Sequence, residues 1–456
     1  MSGLPRGWES VTIGDISTTA EQVVPNADDQ FQYIDIGSVD RERKCIVAPQ
    51  ILTGAEAPSR ARKLVQSGDT LVSMTRPNLN AVALVPEEFD GQIASTGFDV
   101  VRPLHIDPRW IFYAVRSRAF VEAMNSLVQG ALYPAVKSKD VRSFTLAIAP
   151  LAEQKRIADK LDTVLARVNA CRERLDRVEE IIKRFRQSVL SAATSGSLTA
   201  QWRADNQRAD DWSRVELASV ADDFAYGSSA KSSKSGKVPV LRMGNIQEGR
   251  LDWSDLVYTS DPVEIAKYRL SPGDVLFNRT NSPELVGKTA VFQGEQDAIY
   301  AGYLIRVRCS ERLLPDYLNY CLNSPAGRGY CWQVKSDGVS QSNINGKKLA
   351  AFGFLLPTLE EQQEIVRCVR TLFAYADSLE SRCKSANRLV EDLTPALLAK
   401  AFRGELVPQD PNDEPAAELL QRLARQLSGE GKATKRTRAK RATSIALSEE
   451  EPTSVE

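Results

Sequence analysis

The 456-residue sequence predicts a mixed α/β protein written twice: two similar globular domains separated by two long helices that pair as an intramolecular antiparallel coiled coil, in a pseudo-twofold repeat. Three observations carry this. The segment LAEQKRIADKLDTVLARV at Leu151 returns in kind as LEEQQEIVRCVRTLFAYA at Leu359, an offset of 359 − 151 = 208 residues. Apolar residues inside both segments follow a heptad seam. Outside them the chain reads as short β-branched runs, such as TLVSM, DVLFN, TAVF and YLIRVRC, bounded by Gly, Asp, Asn and Pro.

Taken in order, residues 1–150 form the first globular domain, ending in the helical-looking PRWIFYAVRSRAFVEAM. Residues 151–203 form a spacer-helix region. Its apolar positions run Ile157, Leu161, Val164, Val168, Cys171, Leu175, Val178, Ile182, Phe185, Val189. The steps alternate four and three, a mean period of 3.5, which is the seam of a left-handed coiled coil. Between them lie charged residues from Arg167 to Glu180, a solvated face. A helix from about Glu153 to Val189 would be roughly 55 Å long at 1.5 Å per residue.

Residues 204–357 form the second globular domain, closing on LPDYLNYCLNS, and residues 358–410 the second spacer region. Adding 208 to each seam position gives Ile365, Val369, Leu372, Ala376, Leu379, Cys383, Ala386, Val390, Leu393 and Leu397, all apolar or small. Neither helix can bury so narrow a stripe alone, so the two copies are expected to pack on each other. Pairing with another subunit is the alternative. Thr394-Pro395 resembles a cap and first-turn proline, so the second helix is expected to break there and restart as PALLAKAF. The duplication extends to SAATSGSLTAQ and AKAFRGELVPQ, where Gly196 matches Gly404. Residues 411–456 read as a short helix followed by a charge-blocked, disordered tail.

Composition excludes more than it proposes. A chain this long exceeds the size at which one core stops growing, so several domains are expected. No run approaches the roughly 18 apolar residues of a membrane span, and the start MSGLPRGWES lacks a secretory core, so a cytoplasmic location is expected. The seven cysteines have no C-x-x-C spacing and read as reduced, with no metal site. The lone histidine, His105, argues against His-dependent hydrolysis. ELVGKTAV lacks the first glycine of a phosphate loop, Ser282 standing there. No complete active site is legible.

What remains is two recognition-sized domains and a helical spacer, which suits measuring a distance along bipartite double-stranded DNA. A stand-alone coiled-coil regulator or scaffold with duplicated domains is the alternative, and an enzyme with an unrecognised site a third; a homodimeric regulator would need only one copy of the repeat.

PLAEQKRIADKLDTVLARV (150–168), KRFRQSVLSAATSGSLTAQWR (183–203) and LLAKAFRGELVPQDPNDEPAAELL (397–420) resemble the DNA-specificity subunit of Type I restriction-modification systems. VPVLRMGNIQEGRLDWSDLVY (238–258), SPGDVLFNR (271–279) and STGFDVVRP (95–103) extend the resemblance across most of residues 4–416. It implies a non-catalytic subunit whose target-recognition domains each read one half of a split site. It also implies two modification subunits carrying S-adenosylmethionine, docked on the helices, and two motor-nuclease subunits using ATP and Mg, with no cofactor in this chain. The basic-then-acidic tail departs from the family pattern.

Residues 1–150 hold 15 basic and 17 acidic side chains and residues 204–357 hold 18 of each, so DNA contacts must come from local clusters. GALYPAVKSKDVR (130–142) offers Lys137, Lys139 and Arg142; KSDGVSQSNINGKK (335–348) offers Lys335, Gln341, Asn343, Asn345 and Lys347. A second pair, TRPNLN and NRTNSP, offers Arg76 and Asn78 against Arg279 and Asn281, and Arg242 and Asn245 come from VLRMGNIQ.

Overall fold

A computed structural model describes residues 3–128, 134–208 and 211–425. The expected tail, and residues 130–133 of the first basic segment, lie outside the described residues. The chain divides into two compact units: one holds the residues up to Arg174 together with those from Ala386 onward, the other Leu175–Ser385. Each long helix contributes one half to each unit.

In the first unit, strand Glu9–Thr12 pairs antiparallel with Thr145–Ile148 and closes the globular part just before the long helix. One four-stranded sheet runs Ser17–Thr19, Phe98–Pro103, Thr70–Ser73, Val82–Leu84. A second runs Gln50–Thr53, Gln30–Ile34, Ile93–Ser95, Ala61–Leu64, with Gln30–Ile34 and Ile93–Ser95 parallel. The second unit repeats this order. Ser213–Glu216 pairs with Gly353–Leu356. One sheet runs Ala221–Tyr226, Leu304–Cys309, Val275–Asn278, Thr289–Val291, and another Val257–Thr259, Val238–Leu241, Ile299–Tyr300, the last two parallel. The fourth strand is reduced to a single bridge between Arg269 and Ile299. The globular parts therefore share one topology.

The first long helix spans Leu151–Ser195 and the second Leu359–Phe402. In the first unit Ile157, Ala158, Leu161 and Leu165 share a core with Leu398 and Ala401, and Trp110 lies edge-on to Trp8 and Phe402 at 5.6 and 4.9 Å. In the second, Val189, Leu190 and Ala193 share a core with Ile365, Val366 and Val369. Early residues of one helix meet late residues of the other, so the halves pair antiparallel in each unit. Arg186 adds ion pairs to Asp377 and Glu380, each at 2.8 Å.

Ile157, Leu161, Val168, Ile182, Ile365, Val369 and Ala376 are buried, and Val164, Leu175, Leu372, Leu379 and Val390 partly so. Cys171 and Leu393 are exposed. Near the ends the globular part shares the burial, and the stripe shifts to Leu190, Ala193, Leu398 and Ala401. The expected break at Pro395 does not occur, for the second helix runs through it. An interior proline costs roughly 3 kcal/mol, and burying Leu398 and Ala401 in the core one turn later offsets most of it. The matched glycines end both helices in the left-handed region, at φ 84° for Gly196 and 70° for Gly404.

The repeated Glu-Gln of each helix start is a latch. Gln154 accepts from the Asp107 backbone and donates to the Ala149 carbonyl; Gln362 accepts from Leu314 and donates to Pro357 and Arg312. Beside them Glu153 receives the Trp8 indole and Glu361 the Trp212 indole, both at 3.0 Å. All seven cysteines are free thiols. No helix of the described residues is long and apolar enough to cross a membrane.

Candidate nucleic-acid interface

Each unit brings its two candidate segments together. In the first, the backbone of Arg76 donates to Pro134 at 2.8 Å and that of Val136 to Met74 at 2.9 Å, so TRPNLN lies against the stretch leading to Lys137 and Lys139. Arg76 takes a left-handed φ of 48°, and Arg76, Asn78, Lys137 and Lys139 are all exposed. In the second, Thr280–Asn281, Ser342–Asn343 and Ser336–Asp337 form a three-stranded sheet, and Ile344 donates to the Arg279 carbonyl at 2.8 Å. The paired bonds from Val136 and Ile344 make Arg279 the counterpart of Met74, and Asn281 that of Arg76. The looser sequence match had set Arg76 against Arg279; the backbone bonds move that register by two residues.

Around this sheet the polar side chains are held in place. Arg279 lies 4.8 Å from the Tyr226 ring and donates to Gly302 and Asn343 at 3.4 Å, while Asn343 donates to Thr280 at 2.7 Å. The Tyr226 hydroxyl accepts from Gly346 at 2.8 Å, and Asn345 caps the short helix there by accepting from Lys348 at 2.9 Å. Lys335 pairs with Asp337 at 2.6 Å and sits 4.3 Å from the Trp332 ring, holding the Asp337 carboxyl below the usual range. Asn281 accepts from the Ser282 backbone, and Gln341 and Lys347 are exposed.

Three candidates are occupied otherwise. Arg142 turns inward to Asp99, Ser17 and the carbonyls of Thr18 and Val100, at 3.0–3.4 Å. Asn245 is 2 % exposed and holds the backbone of Asp252 and Asp255, to which Arg242 also bonds. Arg142→Ala is expected to cost about 2 kcal/mol, the loss of a charged hydrogen bond to a buried carboxylate, read as a lower unfolding midpoint in denaturant. An unchanged midpoint would return Arg142 to the surface candidates. Lys63, close enough to Asp99 for its charge to act there, limits the loss.

Sequence reasoning missed the aromatic part of the surface. Tyr226, Tyr303 and Trp332 are 45, 50 and 57 % exposed, with Tyr303 accepting from the Arg279 backbone. It also passed over Lys231, Lys234 and Lys237 in KSSKSGK, all exposed on the loop that follows Tyr226. The signal was present: three lysines without an acidic residue. Gly287-Lys288-Thr289 runs into strand Thr289–Val291 rather than a helix, so it is no phosphate loop. Exposed rings beside cations form a surface on which nucleic acid can stack and pair its charge.

The family model for the Type I restriction modification DNA specificity domain matches twice, over residues 5–180 and 209–386. The chain belongs to this specificity-subunit family. The Type I restriction enzyme EcoKI specificity subunit of Escherichia coli K12 is 35 % identical over 335 residues, 71 % of this chain and 72 % of that one. The StySPI specificity subunit of Salmonella potsdam is also 35 % identical, over 73 % of this chain and 75 % of its own. Among solved structures, a chain from a study of complex assembly and conformational transition of the type I R-M system superposes with a TM-score of 0.73 at 29 % identity, covering 89 % of this chain and all of that one. The HsdS subunit of Thermoanaerobacter tengcongensis gives 0.57 at 28 % identity, over 88 % of this chain and 98 % of its own. Each match thus contains one globular part and the first portion of the helix that follows it.

Proposed function

We propose that this specificity subunit reads a bipartite double-stranded DNA site, each globular domain taking one half, with the paired helices setting the gap. The observation that carries the reading is the recurrence, on one topology, of the same two polar segments side by side in both units. The chain itself performs no catalysis. Two modification subunits supply S-adenosylmethionine and methylate adenine, and two motor-nuclease subunits supply ATP and Mg chemistry, docking around the helices.

The test is methylome sequencing of cells expressing the modification partner with and without this chain. One split motif is expected only when the chain is present; methylation by the purified chain alone, or a motif independent of it, would overturn the reading. Within that motif Arg279→Ala is expected to lower affinity by about 1–3 kcal/mol for the half read by residues 204–357, with the other half unaffected. Competition binding with half-site variants measures this, and equal losses at both halves would remove Arg279 from the interface.

A further inference from the structure

The first unit contains a pocket with two cations that no acid among the described residues pairs directly, whereas the equivalent cleft of the repeat holds Arg250 and Arg370 paired with Asp377 and Asp316. A cavity of about 370 Å³ lies between the Asp40–Cys45 hairpin, helix Pro108–Val115 and the first long helix, with Lys44, Phe112, Arg116 and Leu165 in its wall. The Arg116 guanidinium lies 4.9 and 5.4 Å from the Phe112 and Tyr113 rings. It has no ion pair among the described residues, and its buried Nε has no hydrogen-bond partner. Lys44 donates to the carbonyl and side-chain oxygens of Asn80, at 2.5 and 3.0 Å, so its hydrogen bonds go to neutral oxygens.

Nearby acids are engaged or exposed. Asp162 takes Arg109 at 2.6 Å and the Tyr113 hydroxyl, Glu173 takes Arg43 at 3.0 Å, and Glu88 is exposed at the rim. Asp40, whose charge reaches Lys44, accepts from the Glu42 and Arg43 backbone at 2.8 and 2.9 Å. Burial and the Arg116 charge push the Lys44 amine down to about 8, outweighing the opposing pull of Asp40.

The second unit is an internal control. Ser117 and Ser324 cap equivalent helices, so Asn323 stands where Arg116 does, and it is satisfied by Thr289 and Asn319. The equivalent hairpin turns over two residues between Gln247 and Arg250, against four between Asp40 and Cys45, and has no counterpart of Lys44. The topology therefore folds without either cation.

We propose that Lys44 and Arg116 bind a phosphate group, and that in the assembled complex this is a DNA backbone phosphate beside the half-site read by residues 1–150. The second clause rests on the function proposed above. Two cations against one group favour a phosphate, and Asn80, which holds Lys44, ends the TRPNLN loop and donates to Val115 next to Arg116. The pocket thereby adjoins the recognition loop.

Thermal unfolding of the full chain in inorganic phosphate, against chloride at matched ionic strength, tests the site. A saturable rise of a few degrees is expected, lost in Arg116→Asn, which copies the second unit, and in Lys44→Asn, which tolerates the left-handed φ of 58°. Equal responses in wild type and both variants would overturn the proposal. If R116N does not fold, K44N, on an exposed hairpin turn, decides alone. In the complex with modification subunits, each variant is expected to make the slope of log affinity against log salt shallower by about 0.9. A phosphate response with an unchanged slope would overturn the DNA clause and assign the pocket to a free phosphate-bearing ligand; the split motif is expected to persist in every case.

Discussion

Adding one heptad to each long helix, after Arg174 in the first and after Ser385 in the second, is expected to move methylation to half-sites about three base pairs further apart. Seven residues lengthen a helix by about 10 Å, and successive base pairs are about 3.4 Å apart along the axis. A heptad keeps the apolar seam in register. At the original gap one domain then loses its half-site, and affinity falls toward the non-specific level, a loss of about a thousandfold or more. Translation is only part of the demand. Three base pairs also turn the target by roughly 100° about the DNA axis, since a turn takes 10–10.5 base pairs. Three added heptads give about 31 Å and nine base pairs, close to a full turn, so this variant is expected to recover more activity than the single insertion. Sequencing the methylated sites measures both. The half-sequences should not change, and retention of the original gap in either variant would refute the spacer role.

The long helices were legible because their signal is local and repeated. Ile157, Leu161, Ile365 and Val369 are buried as the seam requires. What the seam could not reveal was who shares the burial. Leu393 is exposed while Leu398 is 1 % exposed, because the globular part as well as the partner helix covers that end. Pro395 misled for the same reason: a local breaking signal yields where tertiary burial holds the next turn. In the candidate interface, repetition picked out loops that the fold does bring together. It could not say which polar side chains the fold consumes. Arg142 and Asp99 are 43 residues apart, and nothing near either marks their bond. Asn245 and Arg242 likewise spend their bonds on Asp252 and Asp255. Polarity shows that a side chain needs partners, not whether these are protein or DNA.

The two copies of the latch share their residue type but not their electrostatics, and the difference predicts unequal mutational costs. Glu361 is 3 % exposed and accepts from Thr199 at 2.6 Å, from Trp212 at 3.0 Å and from Arg203. Arg203 lies over the Trp212 ring and bonds the carbonyl of Gly196, tying the end of the first long helix to the start of the second. Glu361→Ala therefore removes the carboxylate from a buried ion pair and is expected to destabilise by about 3–5 kcal/mol. Glu153, 1 % exposed, has the Trp8 indole, but the nearby cation Arg156 is bonded to Asp413 instead, and burial raises the carboxyl's pKa. A raised carboxyl opposes folding while ionised, so its contribution improves as pH falls through the folded pKa and levels off below the unfolded value, near 4.5. Glu153→Gln keeps an oxygen for Trp8 without the buried charge, so it is expected to be near neutral or stabilising at pH 7 and to flatten stability between neutral pH and the unfolded pKa. Denaturant unfolding of E361A, E361Q and E153Q across that range separates the two. Equal effects of E361Q and E153Q would mean that the Arg203 ion pair contributes nothing measurable.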